Sequence, residues 1–233
     1  MTESSTAAVR TEHAWKTFHQ EAEEIHAVRD VSLTIARGEF TALAGPSGSG
    51  KTTLLNVIGG LTRPSQGRVW VAGEDLTDMS NQELARLRLR HVGFVFQAYN
   101  LLPVLSALEN AEFPMLLQGV DPTERRRRVT ELFERTGLTG LEDRRPGKLS
   151  GGQQQRVAVI RAVVSRPALV LADEPTANLD SAASEALLDV MYELNQELGV
   201  TFVFATHDAR VMERSRRLVR MVDGAIESDE TRS

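Results

Sequence analysis

The chain has 233 residues, of which 41% are hydrophobic, so it can bury a sizeable core as one large domain. It contains no cysteine, which excludes disulfides and thiolate metal sites, and no apolar run approaches the roughly 20 residues that cross a bilayer. The net charge of −5 argues against a general nucleic-acid binder, so no nucleic-acid partner is expected.

Short apolar or alternating segments predict strands toward both ends of the chain. Val31, Leu33 and Ile35 alternate with polar residues, as in a half-buried strand. Ala168–Ala172 and Thr201–Ala205 are typical of parallel strands that are buried on both faces. The other predicted strands are Phe40–Ala44, Arg68–Val71, Val92–Phe96, and the pair Leu218–Val222 and Ala225–Ile226 around the hairpin signal Asp223-Gly224.

Capping patterns predict the helices between these strands. Ser80 and Glu83 form the pattern of a capping box. Asp121, followed by Pro122 and Glu124, marks a second helix start. The apolar face of this second helix is predicted at Val129, Leu132, Phe133 and Thr136, its C-terminal cap at Gly137, and a later core-facing stripe at Leu187, Met191, Leu194 and Leu198.

The segment from Ala98 to Gly147 has helix signals and little strand character, so we expect an inserted helical subdomain. The order of strand, glycine-rich loop, helix and further buried strands indicates an α/β sheet domain around this insertion. The basic run Arg125–Arg128 opens one of the inserted helices. It fits either a phosphate-binding surface or, more simply, a solvated helix face.

A phosphate-binding loop follows the predicted strand Phe40–Ala44. Its glycines allow backbone N–H groups to point at phosphate oxygens, and the next helix adds the positive end of its dipole. Lys51 is expected to neutralise the β- and γ-phosphates, and the Thr52 hydroxyl to bind Mg²⁺. The residues expected to bind ATP here are Gly45, Pro46, Ser47, Gly48, Ser49, Gly50, Lys51, Thr52 and Thr53.

The strand Ala168–Ala172 ends in the acidic pair Asp173 and Glu174. The carboxyl edge of a parallel sheet is where ligands of α/β folds bind, so this pair is expected beside the phosphate loop. Asp173 is predicted to hold Mg²⁺, and Glu174 to orient or deprotonate the attacking water.

Leu149–Gln153 predicts a second helix start with a hydroxyl and two glycines, and hence a second anion site. One nucleotide does not need two such helix ends from one chain. The second site is therefore expected to serve the nucleotide of another copy, through Ser150, Gly151, Gly152 and Gln153.

The chain resembles ABC-type ATPases over nearly its whole length, and Leu149–Gln153 matches the signature sequence of that family. The resemblance implies that Gln97 contacts Mg²⁺ or the attacking water and senses a membrane partner. It implies that Ala177–Asp180 is the D-loop, whose Asp180 end crosses to the opposite subunit, and that His207 contacts the γ-phosphate.

The family also places an adenine-stacking aromatic residue upstream of the phosphate loop. Phe18 stands at that position, and Trp15 is the alternative. Phe18 is the favoured residue for stacking, although it also fits a core aromatic residue, and His207 taken alone fits an ordinary surface or core histidine.

The segments Gly93–Gln97, Asn100–Pro103 and Ala107–Asn110 resemble the lipoprotein-releasing and macrolide-exporter branch of the family. Ala177 departs from the glycine usual in that branch, and Thr52 from the commoner serine. The implied fold is a P-loop NTPase of ABC type, a RecA-like mixed sheet with an N-terminal antiparallel β subdomain and an inserted helical subdomain. The expected organisation is one domain over 1–233, with a catalytic core at 10–97 and 165–226, a helical subdomain at 98–164, and tails at 1–9 and 227–233.

These inferences predict a Mg²⁺-dependent ATPase that closes head-to-tail on ATP with a second copy of itself. Because no membrane span is expected in the chain, a transmembrane permease would have to dock on it, near Gln97–Leu105, and hold it at the cytoplasmic face of the membrane. Tyr99, Leu101 and Leu102 are the apolar candidates for that contact, although they fit the core of the subdomain equally well.

Two other classes of protein are considered. A soluble ABC ATPase of DNA repair, translation or iron–sulfur assembly remains an alternative, although no long insertion or second ATPase domain is visible, and so does an ABC ATPase of the cell-division type. A P-loop GTPase or kinase is disfavoured, because no Asn-Lys-x-Asp motif occurs and Leu149–Gln153 would be unexplained.

Overall fold

The computed structural model of the chain describes residues 7–20 and 23–232. Strands and helices alternate through most of this part. The strands are β1 (Ala7–Gln20), β2 (Glu23–Ala36), β3 (Phe40–Ala44), β4 (Gln66–Val71), β5 (Glu74–Asp75), β6 (Val92–Phe96), β7 (Leu169–Asp173), β8 (Thr201–Thr206), β9 (Arg217–Val222) and β10 (Ala225–Thr231). The helices are α1 (Lys51–Ile58), α2 (Asn81–His91), α3 (Ala107–Leu117), α4 (Pro122–Arg135), α5 (Gly151–Val163), α6 (Ser181–Leu198) and α7 (Ala209–Arg214).

The strands form two sheets. The first is antiparallel, in the order β2-β1-β4-β5. The second has the order β10-β9-β3-β8-β7-β6 and is parallel except for the edge strand β10. The predicted mixed sheet with an N-terminal antiparallel β subdomain is confirmed, and the hairpin turn between β9 and β10 lies at Asp223-Gly224 with both residues at positive φ.

Apolar layers cover both faces of the central sheet, which is why β3 and β8 are buried along their whole length. On one face, Leu54 and Ile58 of α1 pack with Leu43 and with Val31 of the antiparallel sheet. On the other face, aromatic residues meet the stripe of α6, and the rings of Phe40 and Phe204 are 4.6 Å apart. This packing holds the carboxyl ends of the central strands rigidly in place.

Helices α3, α4 and α5 lie between β6 and β7 in the chain, as the sequence predicts for the inserted segment. Both predicted helix starts are present, with the capping box at Ser80 and the Asp121 side chain accepting from the amide of Glu124. In the basic run, the exposed Arg127 and the half-buried Arg128 both pair with Glu124. That arrangement is the solvated helix face, not an open phosphate site.

Two expectations about the ends of the chain need correction. Residues 7–9 are buried in β1, and residues 227–231 belong to the edge strand β10, in which all of these residues except Ser228 are exposed, so both stretches are paired strand and not free tail. The edge strand β10 is polar because it pairs on one side only, and Arg217 of β9 fixes its Asp229 by two hydrogen bonds. The rest of the predicted tails, residues 1–6 and 233, lies outside the described residues.

Within the described part of the chain, no helix combines the length and apolar character that crossing a membrane requires.

Candidate functional site

The phosphate loop joins the end of β3 to the start of α1. Gly45, Gly48 and Gly50 have positive φ angles of 155°, 81° and 96°. A Cβ atom at Gly45 would overlap the carbonyl oxygen of Met221, and one at Gly50 would overlap that of Ala27. Close backbone approach therefore requires glycine at both positions. The first turn of α1 has no side-chain cap, which leaves its N–H groups for an anion.

Lys51, the first residue of α1, is buried. Its ammonium group donates to the carbonyl oxygens of Gly45 and Pro46, each at 2.8 Å. Burial lowers the pKa of Lys51, and the nearby carboxylates of Glu174 and Asp173 oppose this change. The lysine thus lies in the electrostatic reach of the acidic pair.

Thr52 and Asp173 meet across the site. The Thr52 hydroxyl donates to Asp173 Oδ1 at 2.8 Å. Burial raises the pKa of Asp173 and the charge of Glu174 acts in the same direction, while the hydrogen bond from Thr52 and the charge of Lys51 oppose the rise. A hydroxyl and a carboxylate this close are the hard oxygen ligands that Mg²⁺ prefers.

Glu174 directly follows β7 in an unusual backbone conformation, with φ at 45°. Its amide donates to the carbonyl of Ala205 at the end of β8. Its Oε1 lies 2.7 Å from His207 Nδ1, and its Oε2 accepts from the Thr206 hydroxyl at 3.2 Å. The Glu174 side chain is 18% exposed and that of His207 is 72% exposed, so the histidine partly covers the acid. Strain of this kind concentrates at functional sites.

A second link, which the sequence analysis missed, joins the segments after Glu174 and after His207. Asp208 Oδ2 accepts from the Thr176 hydroxyl and from Arg210 Nη2, both at 2.7 Å. Burial alone would raise the pKa of Asp208, but the hydrogen bonds from Arg210 and Thr176 outweigh it and lower the pKa.

Gln97, just after β6, pairs with Asn178 of the D-loop segment. The Asn178 amide donates to the Gln97 carbonyl at 3.0 Å, and the Gln97 amide donates to Asn178 Oδ1 at 3.4 Å. Both segments belong to motifs predicted from the sequence, but no sequence signal indicated this pairing.

These groups enclose a cavity of about 350 Å³. It brings the phosphate loop together with the predicted residues Gln97, Glu174 and His207, and adds Ala27, which the sequence analysis did not single out. Its lining is Ala27, Ser47, Gly48, Ser49, Gly50, Lys51, Thr52, Thr53, Gln97, Glu174 and His207.

The second predicted anion site is also a helix start. Ser150 caps α5: its hydroxyl accepts from the Gln153 amide at 3.3 Å, and the Gln153 side chain accepts from the Ser150 amide at 2.9 Å. Ser150, Gly151, Gly152, Gln153 and Asp180 do not line the cavity of the phosphate loop. The side chain of Gln153 is committed to the helix cap.

Neither candidate for the stacking aromatic lines the cavity. Phe18 is 44% exposed near the end of β1, with the Lys16 ammonium 5.0 Å from its ring centroid. Trp15 instead packs edge-on against His26, at 5.8 Å between ring centroids. The more open ring is therefore that of Phe18.

The family model described as "ABC transporter" matches residues 28–177. The chain belongs to the ABC transporter family. It is 39% identical to the lipoprotein-releasing system ATP-binding protein LolD of Idiomarina loihiensis, over 96% of this chain and 98% of that protein. It is 47% identical to the macrolide export ATP-binding/permease protein MacB of Syntrophobacter fumaroxidans, over 92% of this chain but only 30% of that longer protein.

A solved dimeric structure of the ATP-binding cassette MJ0796, bound to ADP and Pi after hydrolysis, superposes with a TM-score of 0.88. The two chains are 40% identical, and the match covers 96% of this chain and 98% of that one. These relationships confirm the P-loop fold of ABC type and the likeness to the lipoprotein-releasing and macrolide-exporter branch. This chain is an ATP-binding, ATP-hydrolysing subunit of an ABC transporter system.

Proposed function

We propose that the chain hydrolyses ATP in two shared sites, each built by the phosphate-loop cavity of one copy and the α5 start of a second copy. The observation that carries this proposal is the separation of the two anion sites. Lys51, Glu174 and His207 line one cavity, whereas Ser150 and Gly152 lie outside it. A second copy that supplies Ser150 and Gly152 would complete the site.

Within the cavity, the phosphate-loop amides of Gly45–Thr53 and the ammonium of Lys51 hold the β- and γ-phosphates. The oxygens of Thr52, Asp173 and Gln97 hold Mg²⁺, which fits the hydroxyl–carboxylate pair at 2.8 Å. Bound there, the metal ion supplies neutralisation of phosphate charge.

Glu174 accepts the proton of the attacking water as general base. The contact of its Oε1 with His207 Nδ1 at 2.7 Å fixes the direction of the carboxylate and keeps His207 beside the γ-phosphate position. Removal of a general base typically slows a reaction by about 10² to 10⁴-fold.

The second copy contributes the α5 start and the D-loop end at Asp180. ATP supplies contacts that exist only in the closed pair, so ATP binding shifts the open–closed equilibrium and hydrolysis reverses it. Phe18, whose ring is exposed, is the residue proposed to stack on the adenine.

A membrane permease is the proposed partner, and it holds the ATPase at the cytoplasmic face of the membrane. An apolar groove of about 410 Å³ supports this proposal, with Phe94, Phe113 and Leu117 among its lining residues. One lining residue of the groove, Asn100, belongs to the expected docking range Gln97–Leu105. Leu101 of the same range does not line the groove, because it packs against the hydrophobic core. LolD and MacB are named for transport systems, which agrees with such a partner.

The proposed domain division has a catalytic core at 10–97 and 165–226 and a helical subdomain at 98–164. Residues 7–9 of β1 and 227–231 of β10 are assigned to the core, because both stretches belong to its sheets.

The shared-site model is tested with Glu174→Gln, which keeps the shape of the side chain and removes the base. Hydrolysis should fall by at least about 10²-fold while ATP-bound dimers accumulate on size-exclusion chromatography. Glu185→Gln is the matched control, because Glu185 pairs with Arg214 on the surface of α6. Wild-type turnover in Glu174→Gln would contradict the assignment of the base.

The contribution of the second copy is tested with Ser150→Ala. Ser106→Ala is the control, since Ser106 caps α3 with the same capping box and lies outside the site. Both variants should lose about 1 kcal/mol of stability. Only Ser150→Ala should lose hydrolysis, with ATP binding to the monomer retained. Loss of monomer binding would contradict the model.

A further inference from the structure

Tyr99 lies two residues after Gln97 and is held in an unusual backbone conformation. Tyr99 and Asn100 have φ angles of 59° and 50°. Arg161 of α5 donates to both of their carbonyl oxygens, at 2.9 Å and 2.5 Å. Arg161 is partly buried, and this burial lowers the pKa of its guanidinium. Tyr99 is therefore fixed by its backbone to the helix that begins at Ser150.

The side chain of Tyr99 reaches the start of that same helix. Its hydroxyl donates to the Asn178 carbonyl at 3.4 Å. A Cβ atom at Gly151 would lie 2.8 Å from the hydroxyl oxygen and 3.8 Å from the ring carbon that carries it. The hydroxyl thus occupies the space between the D-loop segment and the signature helix.

The Gln97–Asn178 side-chain pair is a second connection between the same segments. Gln97 lines the cavity of the phosphate loop in its own chain. Gly151 and Asp180 do not line that cavity and, under the proposed function, act on the nucleotide of the partner copy. The contacts of Tyr99 and Asn178 therefore connect Gln97, which belongs to one ATP site, with Gly151 and the D-loop, which belong to the other.

We propose that Tyr99 is a positioning residue that couples the two ATP sites of the dimer, by tying the Gln97 segment to the D-loop and the signature helix of the same chain. This inference rests on the shared-site function proposed above. When a nucleotide bound in the phosphate-loop cavity moves Gln97, the Tyr99 hydroxyl moves with it and shifts Asn178 and Gly151. Under the shared-site function, the D-loop and the signature helix to which these two residues belong act on the nucleotide of the partner copy. A physical link of this kind makes occupancy of one site change the other.

The first test is the dependence of ATP hydrolysis on ATP concentration in the full chain. Two coupled sites allow a Hill coefficient between 1 and 2. Tyr99→Phe keeps the ring and removes the hydroxyl, so the coefficient should fall toward 1. Turnover at saturating ATP should fall about two- to tenfold, the size expected from one lost hydrogen bond. Tyr192→Phe is the matched control, because the other tyrosine of the chain bonds Arg216 away from the cavity.

The second test asks why position 151 must be small. Gly151→Ala places its Cβ against the Tyr99 hydroxyl and should reduce hydrolysis strongly. The double variant Tyr99→Phe with Gly151→Ala removes the crowding atom, and it should hydrolyse ATP at least about threefold faster than Gly151→Ala alone. If Gly151 were small only for the partner's nucleotide, the second substitution would bring no recovery.

The outcomes separate this inference from the function beneath it. A cooperative wild type, a Tyr99→Phe variant of equal Hill coefficient and a double variant no better than Gly151→Ala would overturn the coupling role alone. A wild type with a Hill coefficient of 1, whose Glu174→Gln form stays monomeric with ATP, would overturn the shared-site function and this inference together.

Discussion

Asp208→Asn tests whether the hydrogen bond from Thr176 to Asp208 helps to position the catalytic residues Glu174 and His207. The carboxylate accepts from Thr176 Oγ1 at 2.7 Å and from Arg210 Nη2 at 2.7 Å, and it caps α7 through the Arg210 amide. Asparagine caps helices as well as aspartate does, so the cap is retained. The substitution removes the charge that attracts Arg210, and it replaces the oxygen that accepts from Thr176 and Arg210 by an NH2 group that cannot accept.

Hydrogen bonds to charged groups contribute about 1.5–3 kcal/mol when buried. The Arg210 side chain is 32% exposed and that of Asp208 is 15% exposed, so solvent screening reduces the expected loss of unfolding free energy to about 1–2 kcal/mol. Since Thr176 follows Glu174 by two residues, kcat should also fall about three- to tenfold. Urea unfolding followed by tryptophan fluorescence and phosphate release would measure the two effects.

The pH dependence of the stability has a definite sign. The folded-state pKa of Asp208 is below its ordinary value of 3.8, so its stabilising contribution is complete above that value. It is lost as the pH falls through the folded-state pKa, because the carboxyl group is then protonated in the folded state as well as in the unfolded state. The stability gap between wild type and Asp208→Asn should therefore be full at pH 7 and narrow in acid.

Asp229→Asn is the control for position. Asp229 accepts two hydrogen bonds from Arg217, at 2.7 Å and 2.8 Å, on the edge strand far from the cavity. It should lose comparable stability and keep the wild-type kcat. If Asp208→Asn also kept wild-type kcat, the tie would stabilise the fold without positioning Glu174 or His207, and the reasoning would be refuted.

Three further predictions follow from the site and the sheet. Because burial raises the pKa of Asp173, Asp173→Asn should stabilise the magnesium-free protein by about 0.5–1 kcal/mol in urea unfolding and abolish hydrolysis; a less stable variant would contradict the desolvation argument. Phe18→Ala should raise the KM for ATP about tenfold by loss of base stacking, and an equal effect from Trp15→Ala instead would move the stacking role to Trp15. Gly93→Ala should lose more than about 3 kcal/mol of stability, because its Cβ would overlap the Ala162 carbonyl; near wild-type urea unfolding would contradict this.

The sequence predicted the elements whose signals are local. The capping box at Ser80, the turn at Asp223-Gly224 and the buried apolar strands each depend on a few neighbouring residues. Strand β1 was not predicted, because its pairing with β2 shifts register between Thr11 and Ala14, where His13 has a positive φ of 46°. Such an irregularity breaks the alternation that would reveal a strand.

The candidate site shows the same division between local and distant signals. The phosphate loop and the acidic pair could be predicted because each is one continuous motif. The pairs Gln97–Asn178 and Thr176–Asp208 could not, since 81 and 32 residues separate their members and only the strand order brings them together. Tyr99 belongs to no recognised motif, and its aromatic side chain suggested only a contact with the membrane partner or the subdomain core.

The order of the strands explains why these motifs function as one site. The central strands run β3-β8-β7-β6, and the functional residues follow their carboxyl ends as Lys51, His207, Glu174 and Gln97. His207 therefore lies between the phosphate loop and Glu174, although it comes last in the chain, and this position accounts for its contact with Glu174. The helical insertion begins after β6 and ends before β7. Because these two strands are neighbours in the sheet, the insertion lies at the edge of the site and does not interrupt the sheet. The signature helix start at Ser150 consequently belongs to this edge but lies outside its cavity, which is the arrangement that a second copy can complete.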